Sequence, residues 1–84
     1  MKFDPDKDAA NSAKHGISLR RAGDMQVEAR IIDDRYEEPR LRAYGVIDGR
    51  RYCLAYTIRD GEVRPISLRR AHGKEYRLYV QDND

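Results

Sequence analysis

The feature that most constrains the fold of this chain is a pair of Asp-Gly dipeptides, Asp48-Gly49 and Asp60-Gly61, which separate runs rich in apolar and aromatic residues. An Asp-Gly pair in this position is typical of a two-residue β-hairpin, because both central residues of the preferred turn need a positive φ angle. The sequence therefore predicts an antiparallel meander of three strands, which run from Leu41 to Ile47, from Arg51 to Ile58 and from Val63 to Arg69.

The middle strand is predicted to lie inside the sheet. Its even-numbered residues, Tyr52 to Ile58, share one face, and its odd-numbered residues, Cys53 to Thr57, share the other. Both faces are largely uncharged, as is expected of a strand with a neighbour on each side. Pro65 lacks a backbone N–H, so we expect the last strand to have a free edge near that residue.

Helix signals precede and follow the meander. Asp4-Pro5-Asp6 is a helix start, with a capping side chain, a proline in the first turn and an acid that complements the helix dipole. Lys14-His15-Gly16 is the matching end of that helix. A second helix is predicted from Ser18 to about Val27, followed by a short strand from Ala29 to Ile32. A last helix is predicted from Lys74 to about Val80.

The second helix has unfavourable residues in its first turns. Arg20 and Arg21 lie where the helix dipole favours acids, and Gly23 costs about 1 kcal/mol relative to alanine in a helix interior. The helix is predicted because its apolar residues have helical spacing, namely Leu19, Ala22 and Met25.

This order of elements predicts an α+β fold, in which the two N-terminal helices pack on one face of a twisted antiparallel sheet and a short helix ends the chain. The other face of the sheet is then open to solvent or to a ligand.

With 84 residues, the chain is expected to form one domain that covers residues 1–84. The single cysteine, Cys53, excludes an internal disulfide and cannot by itself build a cysteine-based zinc site. The sequence has no run of about 18 apolar residues and no apolar leader, so we expect a soluble cytoplasmic protein with no membrane partner.

The charges are distributed unevenly along the chain. Residues 1–39 carry seven basic and nine acidic side chains, whereas residues 40–77 carry ten basic and four acidic ones. Thirteen of the 17 basic residues are arginine, whose planar guanidinium matches phosphate oxygens and stacks on bases. A basic half of this kind favours a polyanionic partner. The alternative is that the arginines only keep a small domain soluble, and charge alone does not decide between the two.

Four side chains near the end of the meander form the main candidate site. Strand alternation places Arg69 on the face opposite to Leu68, and the last helix places His72, Glu75 and Tyr79 on one side. RNA cleavage without a metal needs a base for the ribose 2′-hydroxyl, an acid for the leaving oxygen and fixed positive charge at the phosphate. Arg69 suits the charge, His72 or Glu75 suits proton transfer, and Tyr79 suits orientation or proton donation. The alternative is a surface ion pair between Arg69 and Glu75, with His72 capping the helix.

Other residues give weaker signals. Arg51 and Tyr56 combine charge and an aromatic ring on the sheet, as RNA-stacking surfaces do, although packing in the core is the alternative for the tyrosine. Lys14 is explained by the helix end. The acids of the loop after the first strand are expected to be solvated rather than to bind a divalent ion, because no histidine lies near them in sequence; they are Asp33, Asp34, Glu37 and Glu38. No metal or cofactor site is therefore predicted.

Several short segments, in order and spacing over nearly the whole chain, carry a family resemblance. They are Phe3-Asp4-Pro5, Lys14-His15-Gly16-Ile17-Ser18, Arg42-Ala43-Tyr44-Gly45 and Ile66-Ser67-Leu68-Arg69-Arg70-Ala71, followed by Glu75 and Tyr79. With these segments the chain resembles the BrnT family of type II toxins, which share the RelE-like ribonuclease fold. The chain departs from the family pattern at Arg21, where an acid usually closes a capping box, and at His72, where a small hydroxyl residue is common.

The resemblance implies a metal-independent endoribonuclease that inhibits translation. It also implies a BrnA-like antitoxin, a ribbon–helix–helix protein that neutralises the toxin, so that operator DNA is contacted only through the complex of the two proteins. Mapped onto this chain, the resemblance points to Arg69, Glu75 and Tyr79, supported by Arg70 and Lys14. The alternative is a weakly active or inactive relative that acts as a protein- or RNA-binding module or as an operon co-repressor.

Overall fold

The two Asp-Gly dipeptides form the predicted hairpin turns. In the computed structural model, which describes residues 1–80, Asp48 and Gly49 have φ angles of 51° and 74°, and Asp60 and Gly61 have φ angles of 52° and 73°. Positive φ at both positions is the signature of the turn whose twist matches that of the flanking strands. The turns connect β2, β3 and β4, whose bounds are Arg40–Ile47, Arg50–Arg59 and Glu62–Arg70. The predicted meander is confirmed.

A fourth strand, β1 (Gln26–Asp33), completes an antiparallel sheet in the order β1-β2-β3-β4. The register aligns Tyr44 with Cys53, and Cys53 with Arg69, so that these three residues form one row across the sheet. β4 is an edge strand, as Pro65 predicts. A bulge in the pairing of β3 with β4 follows Ala55 and leaves Ile66 as the extra residue of β4.

The first predicted helix is confirmed as α1 (Pro5–His15). The Asp4 side chain accepts a hydrogen bond from the N–H of Asp6, and Gly16 ends the helix with a φ angle of 71°. Within the described residues, no helix is long and apolar enough to cross a membrane.

The second predicted helix differs in type and length. Residues Leu19–Asp24 form a 3₁₀ helix rather than an α-helix, and β1 begins at Gln26, before the predicted residue Ala29. Oδ1 of Asp8 accepts hydrogen bonds from the Ser18 hydroxyl and from the N–H of Leu19, both at 2.8 Å. A carboxylate from α1 therefore satisfies the start of this segment, which has no acid of its own in its first turn.

The prediction that one face of the sheet is open is wrong in part. α1 and the 3₁₀ helix cover the face that carries Leu54 and Leu68, as expected. The last helix, α2 (Gly73–Tyr79), crosses to the opposite face, where the Tyr76 ring packs on Tyr44. The apolar residues of α2 need a surface to cover, and the face left free by α1 is the one within reach of the short turn after β4.

Asn11 joins α1 to the edge of the sheet and is only 5% exposed. Its amide nitrogen donates to the carbonyl oxygens of Leu68 and Ile17, each at 2.9 Å, and its amide oxygen accepts from the N–H of Leu68, also at 2.9 Å. The side chain thus pairs with Leu68 as another strand would. It satisfies edge groups that would otherwise template pairing with another chain.

We predict that Asn11→Ala lowers the free energy of unfolding by about 2–3 kcal/mol, because the N–H and C=O of Leu68 lose their partner in a buried setting. Urea denaturation at neutral pH measures the change. Ser12→Ala, at an exposed neighbouring position of α1, is the matched control and should change the free energy by no more than about 0.5 kcal/mol. Equal, small effects of both substitutions would contradict the role assigned to Asn11.

Candidate active site

The centre of the site is an ion pair between β4 and α2. Nη1 of Arg69 donates to Oε1 of Glu75 at 2.8 Å, and Nη2 donates to Oε2 at 2.7 Å. Glu75 lies in the first turn of α2, where the helix dipole stabilises a carboxylate. Both side chains keep partial contact with solvent, with exposed fractions of 34% for Arg69 and 23% for Glu75. The structure therefore brings together two of the predicted residues in a bidentate pair that a ligand can reach.

Two residues that had no predicted role extend this pair. The hydroxyl of Tyr44, a fully buried residue of β2, donates to Oε2 of Glu75 at 2.9 Å. Nη1 of Arg42 in turn donates to the Tyr44 hydroxyl at 3.0 Å. Tyr44 could have been found from the sequence by working out the register of the two hairpins, because that register places Tyr44 and Arg69 on either side of Cys53.

The protonation states of the site follow from these contacts. The Arg69 guanidinium, opposed by partial burial, lowers the pKa of Glu75 from 4.5 to about 2. The hydrogen bonds between the two side chains raise the pKa of Arg69 as well. Burial raises the pKa of the Tyr44 phenol and of the Cys53 thiol. At neutral pH the site therefore holds the carboxylate of Glu75, the guanidinium groups of Arg69 and Arg42, a neutral phenol and a neutral thiol.

Tyr79 forms the aromatic side of the site. Its ring stacks on that of Tyr44 with centroids 5.0 Å apart and an angle of 18° between the planes. The Arg42 guanidinium lies 5.3 Å from the centre of the Tyr79 ring. Tyr76, one turn earlier in α2, meets Tyr44 edge to face, and its hydroxyl donates to Glu28. The last helix is thus held on the sheet by two tyrosines, and Tyr79 packs on the residue whose hydroxyl binds Glu75.

His72 lies at the N-cap position of α2 and is exposed. Its imidazole makes no capping hydrogen bond, whereas its carbonyl oxygen accepts from the N–H of Tyr76 at 2.8 Å. The alternative in which the His72 side chain caps the helix is therefore not supported by the described contacts.

Of the four predicted RNA-binding residues, one borders the site. Arg51 is exposed, and its guanidinium lies 5.3 Å from the Tyr76 ring. Arg70 lies on the opposite face, 5.6 Å from the Tyr52 ring, because it follows Arg69 directly in the strand. Lys14 is exposed in the last turn of α1.

Tyr56 belongs to the core rather than to a binding surface. It is only 5% exposed and packs in the cluster beneath α1 and the 3₁₀ helix, so its ring presents no face for stacking a base. We therefore leave Tyr56 out of the site.

Two of the four acids that were expected to be solvated instead form ion pairs, namely Asp33 at the end of β1 and Glu38 in the loop after it. Asp33 accepts from Nη2 of Arg35 at 2.5 Å, and Glu38 accepts two hydrogen bonds from Arg59, at 2.9 and 2.7 Å. The hydrogen bonds from Arg35 lower the pKa of Asp33 from 3.8 to about 2. Among residues 1–80, no group of three or more His, Cys, Asp or Glu side chains is arranged to hold a metal ion.

Comparison with known proteins gives a consistent result. Residues 3–75 match the model of the family described as "Ribonuclease toxin, BrnT, of type II toxin-antitoxin system". Among solved structures, the chain is similar to the 1.1 Å crystal structure of the Brucella abortus ribonuclease toxin BrnT, with 22% sequence identity and a TM-score of 0.68 over 86% of this chain and 95% of that chain. No curated protein sequence matches the chain. The structural match supports the fold, and the family match covers every element from α1 to the first turn of α2.

We predict that Glu75→Gln flattens the acid limb of the stability curve. The pKa of Glu75 is lower in the folded protein than its ordinary value of 4.5, so the ion pair stabilises the fold above that pH and its contribution is lost as the pH falls towards about 2. The variant should be less stable at pH 7 by about 1–2 kcal/mol, since the pair is partly exposed, and should equal the parent near pH 2. Urea unfolding at a series of pH values measures both.

Glu37→Gln removes the same formal charge from an exposed residue and serves as the control. Its stability curve should run parallel to that of the parent protein. A Glu75→Gln curve that also runs parallel to the parent would show that the ion pair does not set the acid limb.

Proposed function

The chain belongs to the BrnT family of ribonuclease toxins from type II toxin–antitoxin systems, and on that premise we propose that it is a metal-independent endoribonuclease that inhibits translation until an antitoxin neutralises it. Residues 1–84 act as a single toxin domain in the cytoplasm. The observation that carries the proposal is the partly exposed pair of Arg69 and Glu75, which supplies a phosphate-binding fork and a carboxylate within one contact.

The proposed reaction is an attack of the ribose 2′-oxygen on the neighbouring phosphorus. A bond forms between that oxygen and phosphorus, the bond from phosphorus to the 5′-oxygen breaks, and the products are a 2′,3′-cyclic phosphate and a 5′-hydroxyl. Arg69 binds the non-bridging oxygens and stabilises the charge that develops on them. Glu75 takes the proton from the 2′-hydroxyl.

Glu75 becomes a useful base when Arg69 turns towards the substrate. With both oxygens held by Arg69, its pKa of about 2 makes it a weak base. A bound phosphodiester competes for the guanidinium, and the pKa of Glu75 then rises towards its ordinary value. Oε2 keeps the hydrogen bond from Tyr44, whereas Oε1 accepts only from Arg69 among the described contacts. Oε1 is therefore the atom that we assign to the proton transfer, and Tyr44 is a positioning residue.

The leaving 5′-oxygen needs a proton, and two side chains are candidates to supply it. Tyr79 packs on the ring of Tyr44, whose hydroxyl donates to Glu75, and the Arg42 guanidinium lies 5.3 Å from the centre of the Tyr79 ring. His72 is exposed at the start of the same helix, with an imidazole that the helix cap does not use. We propose Tyr79 as the first candidate for the acid and His72 as the second, with Arg51 at the border of the site as an RNA contact.

The partner follows from family membership. A type II toxin is neutralised by a protein antitoxin, and we propose a BrnA-like ribbon–helix–helix protein that alone carries the affinity for operator DNA. An inactive relative that binds RNA or antitoxin without turnover is the second candidate. It is favoured by one observation: Arg69 engages both oxygens of Glu75, so the carboxylate carries no free basic oxygen in this state.

We predict that Arg69→Ala lowers kcat/KM for cleavage of single-stranded RNA about 10²–10³-fold, as expected for loss of a preorganised charge at the reacting phosphate. Glu75→Gln should reduce kcat to a similar extent, while Tyr44→Phe should have a smaller effect because it only orients the carboxylate. Product ends are identified by mass spectrometry, with a cyclic phosphate expected in the presence of EDTA.

Arg30→Ala is the matched control, because Arg30 is an exposed arginine whose place opposite Ala43 puts it on the face that α1 covers. It should cleave RNA at the parental rate. Equal activity of the Arg69→Ala, Glu75→Gln and parent proteins would remove the site assignment. A parent protein that binds RNA without cleaving it would favour the second candidate.

A further inference from the structure

A second feature of the molecule is an open cleft of about 680 Å³, away from the ion pair of Arg69 and Glu75. It lies between the N-terminal segment with the first turn of α1 and the ends of β2, β3 and β4 that are remote from that pair. Five basic side chains line it, against the two carboxylates of Asp4 and Glu38; the basic residues are Lys2, Lys7, Arg40, Arg59 and Arg64. The cleft is therefore a positively charged cavity at the edge of the sheet.

The two acids of the cleft are occupied by the protein itself. Asp4 caps α1 through the N–H of Asp6 at 2.8 Å. Glu38 is bound by Nε and Nη2 of Arg59. Within the described residues, neither Arg40 nor Lys7 forms an ion pair, and the Arg40 guanidinium lies 4.1 Å from the centre of the Tyr36 ring, so the five basic side chains of the cleft outnumber its two carboxylates. A cavity with uncompensated positive charge attracts anions.

Arg64 gives the cleft a polar group that the fold leaves unsatisfied. Its Nε is buried and has no hydrogen-bond partner among residues 1–80, and its guanidinium forms no ion pair there. Removing a charged donor from water without an acceptor is costly, and such a group in a folded protein calls for an explanation. A ligand with negatively charged oxygens near this guanidinium would offset part of that cost by compensating its positive charge.

The register relates the cleft to the candidate active site. Arg64 pairs with Thr57 and Arg69 pairs with Cys53, so both arginines project from the same face of the sheet. Thr57 and Cys53 are four positions apart in β3, which corresponds to about 13 Å at roughly 3.3 Å per residue. A single extended RNA strand can therefore contact Arg69 with one phosphate and Arg64, at the cleft, with another along the same face.

We propose that this cleft is a phosphate-binding subsite that holds the backbone of single-stranded RNA a few nucleotides from the scissile bond. The ligand class rests on the proposed ribonuclease function, and the subsite extends it by assigning substrate positioning to Arg64, Arg40 and Lys7. These residues act on binding and register of the RNA, whereas Arg69 and Glu75 act on the reacting phosphate.

The test compares two double variants of the full-length protein. Arg40→Gln/Arg64→Gln removes two charges from the cleft, and Arg30→Gln/Arg50→Gln removes two exposed charges from the face on which α1 packs. Binding of a 2′-O-methylated single-stranded RNA, which cannot be cleaved by attack of the 2′-oxygen, is measured by fluorescence anisotropy over a range of salt concentrations. Thermal unfolding followed by circular dichroism verifies that each variant is folded.

The cleft variant is expected to bind the RNA about ten-fold more weakly than the parent. The slope of log K against log salt should become shallower by about 0.7 for each phosphate group that the variant no longer binds. The control variant should show a much smaller change in both quantities. If the cleft variant fails to fold, the same binding measurement is made with Lys7→Gln, at an exposed position of α1, and with Arg30→Gln as its control. A weaker affinity of Lys7→Gln alone would then support one phosphate contact in the cleft.

Equal effects of the two double variants would overturn the inference, because they would show a response to net charge alone. Poly-glutamate that binds the cleft as tightly as the RNA does would overturn the assignment to RNA.

Cleavage of unmodified RNA by the parent separates the two proposals. A parent that cleaves while both variants bind alike leaves the proposed function standing without the cleft. A parent that does not cleave while the cleft variant loses RNA affinity leaves the subsite standing without the activity.

Discussion

The bidentate ion pair between Arg69 and Glu75 determines both how the last helix meets the sheet and what charge the candidate site presents. α2 has only seven residues, too few to be stable as an isolated helix, so it depends on contacts with the sheet. The pair and the packing of Tyr76 and Tyr79 against Tyr44 supply these contacts. The groups proposed for catalysis therefore also anchor the helix. In the proposed reaction, a substrate that draws Arg69 away would loosen that anchor, and the two tyrosines would still hold the helix on the sheet.

The two faces of the sheet have separate tasks. One face packs its apolar residues beneath α1 and the 3₁₀ helix, with Leu19 and Leu68 fully buried. Asn11 closes the adjacent edge of β4. The other face buries little beyond the contact with α2, and it carries both Arg69 and Arg64 on the strand that Asn11 holds. Partly burying the charged side chains of the second face lowers the free energy of unfolding. The apolar core beneath the first face must offset that loss, and in a domain of this size the core is small.

Local signals predicted most of the fold, and tertiary contacts account for what they missed. The Asp-Gly turns and strand alternation gave the meander and the side of the sheet on which Arg69 lies. The contacts at the start of the 3₁₀ helix were missed because Asp8, which accepts hydrogen bonds from Ser18 and Leu19, belongs to another element. Tyr44 was missed because its place in the same row as Cys53 and Arg69 depends on two hairpin registers taken together. Tyr56 is buried because α1 covers its face of the sheet. Alternation within one strand predicts which residues share a face, but not which face a helix covers.

The number of arginines does not by itself show how much positive charge a ligand would meet, because some of the guanidinium groups are already bound to carboxylates. Arg35 and Arg59 are bound by Asp33 and Glu38, so they contribute little net field despite their exposure. Arg64 has no such partner within the described residues and has a buried Nε. The positive charge available to a ligand is therefore more localised than the excess of basic residues in the second half of the sequence indicates. Under the two proposals, a phosphate backbone would run from Arg64 at the cleft along the face that presents Arg69, and a phosphodiester would then reach Glu75.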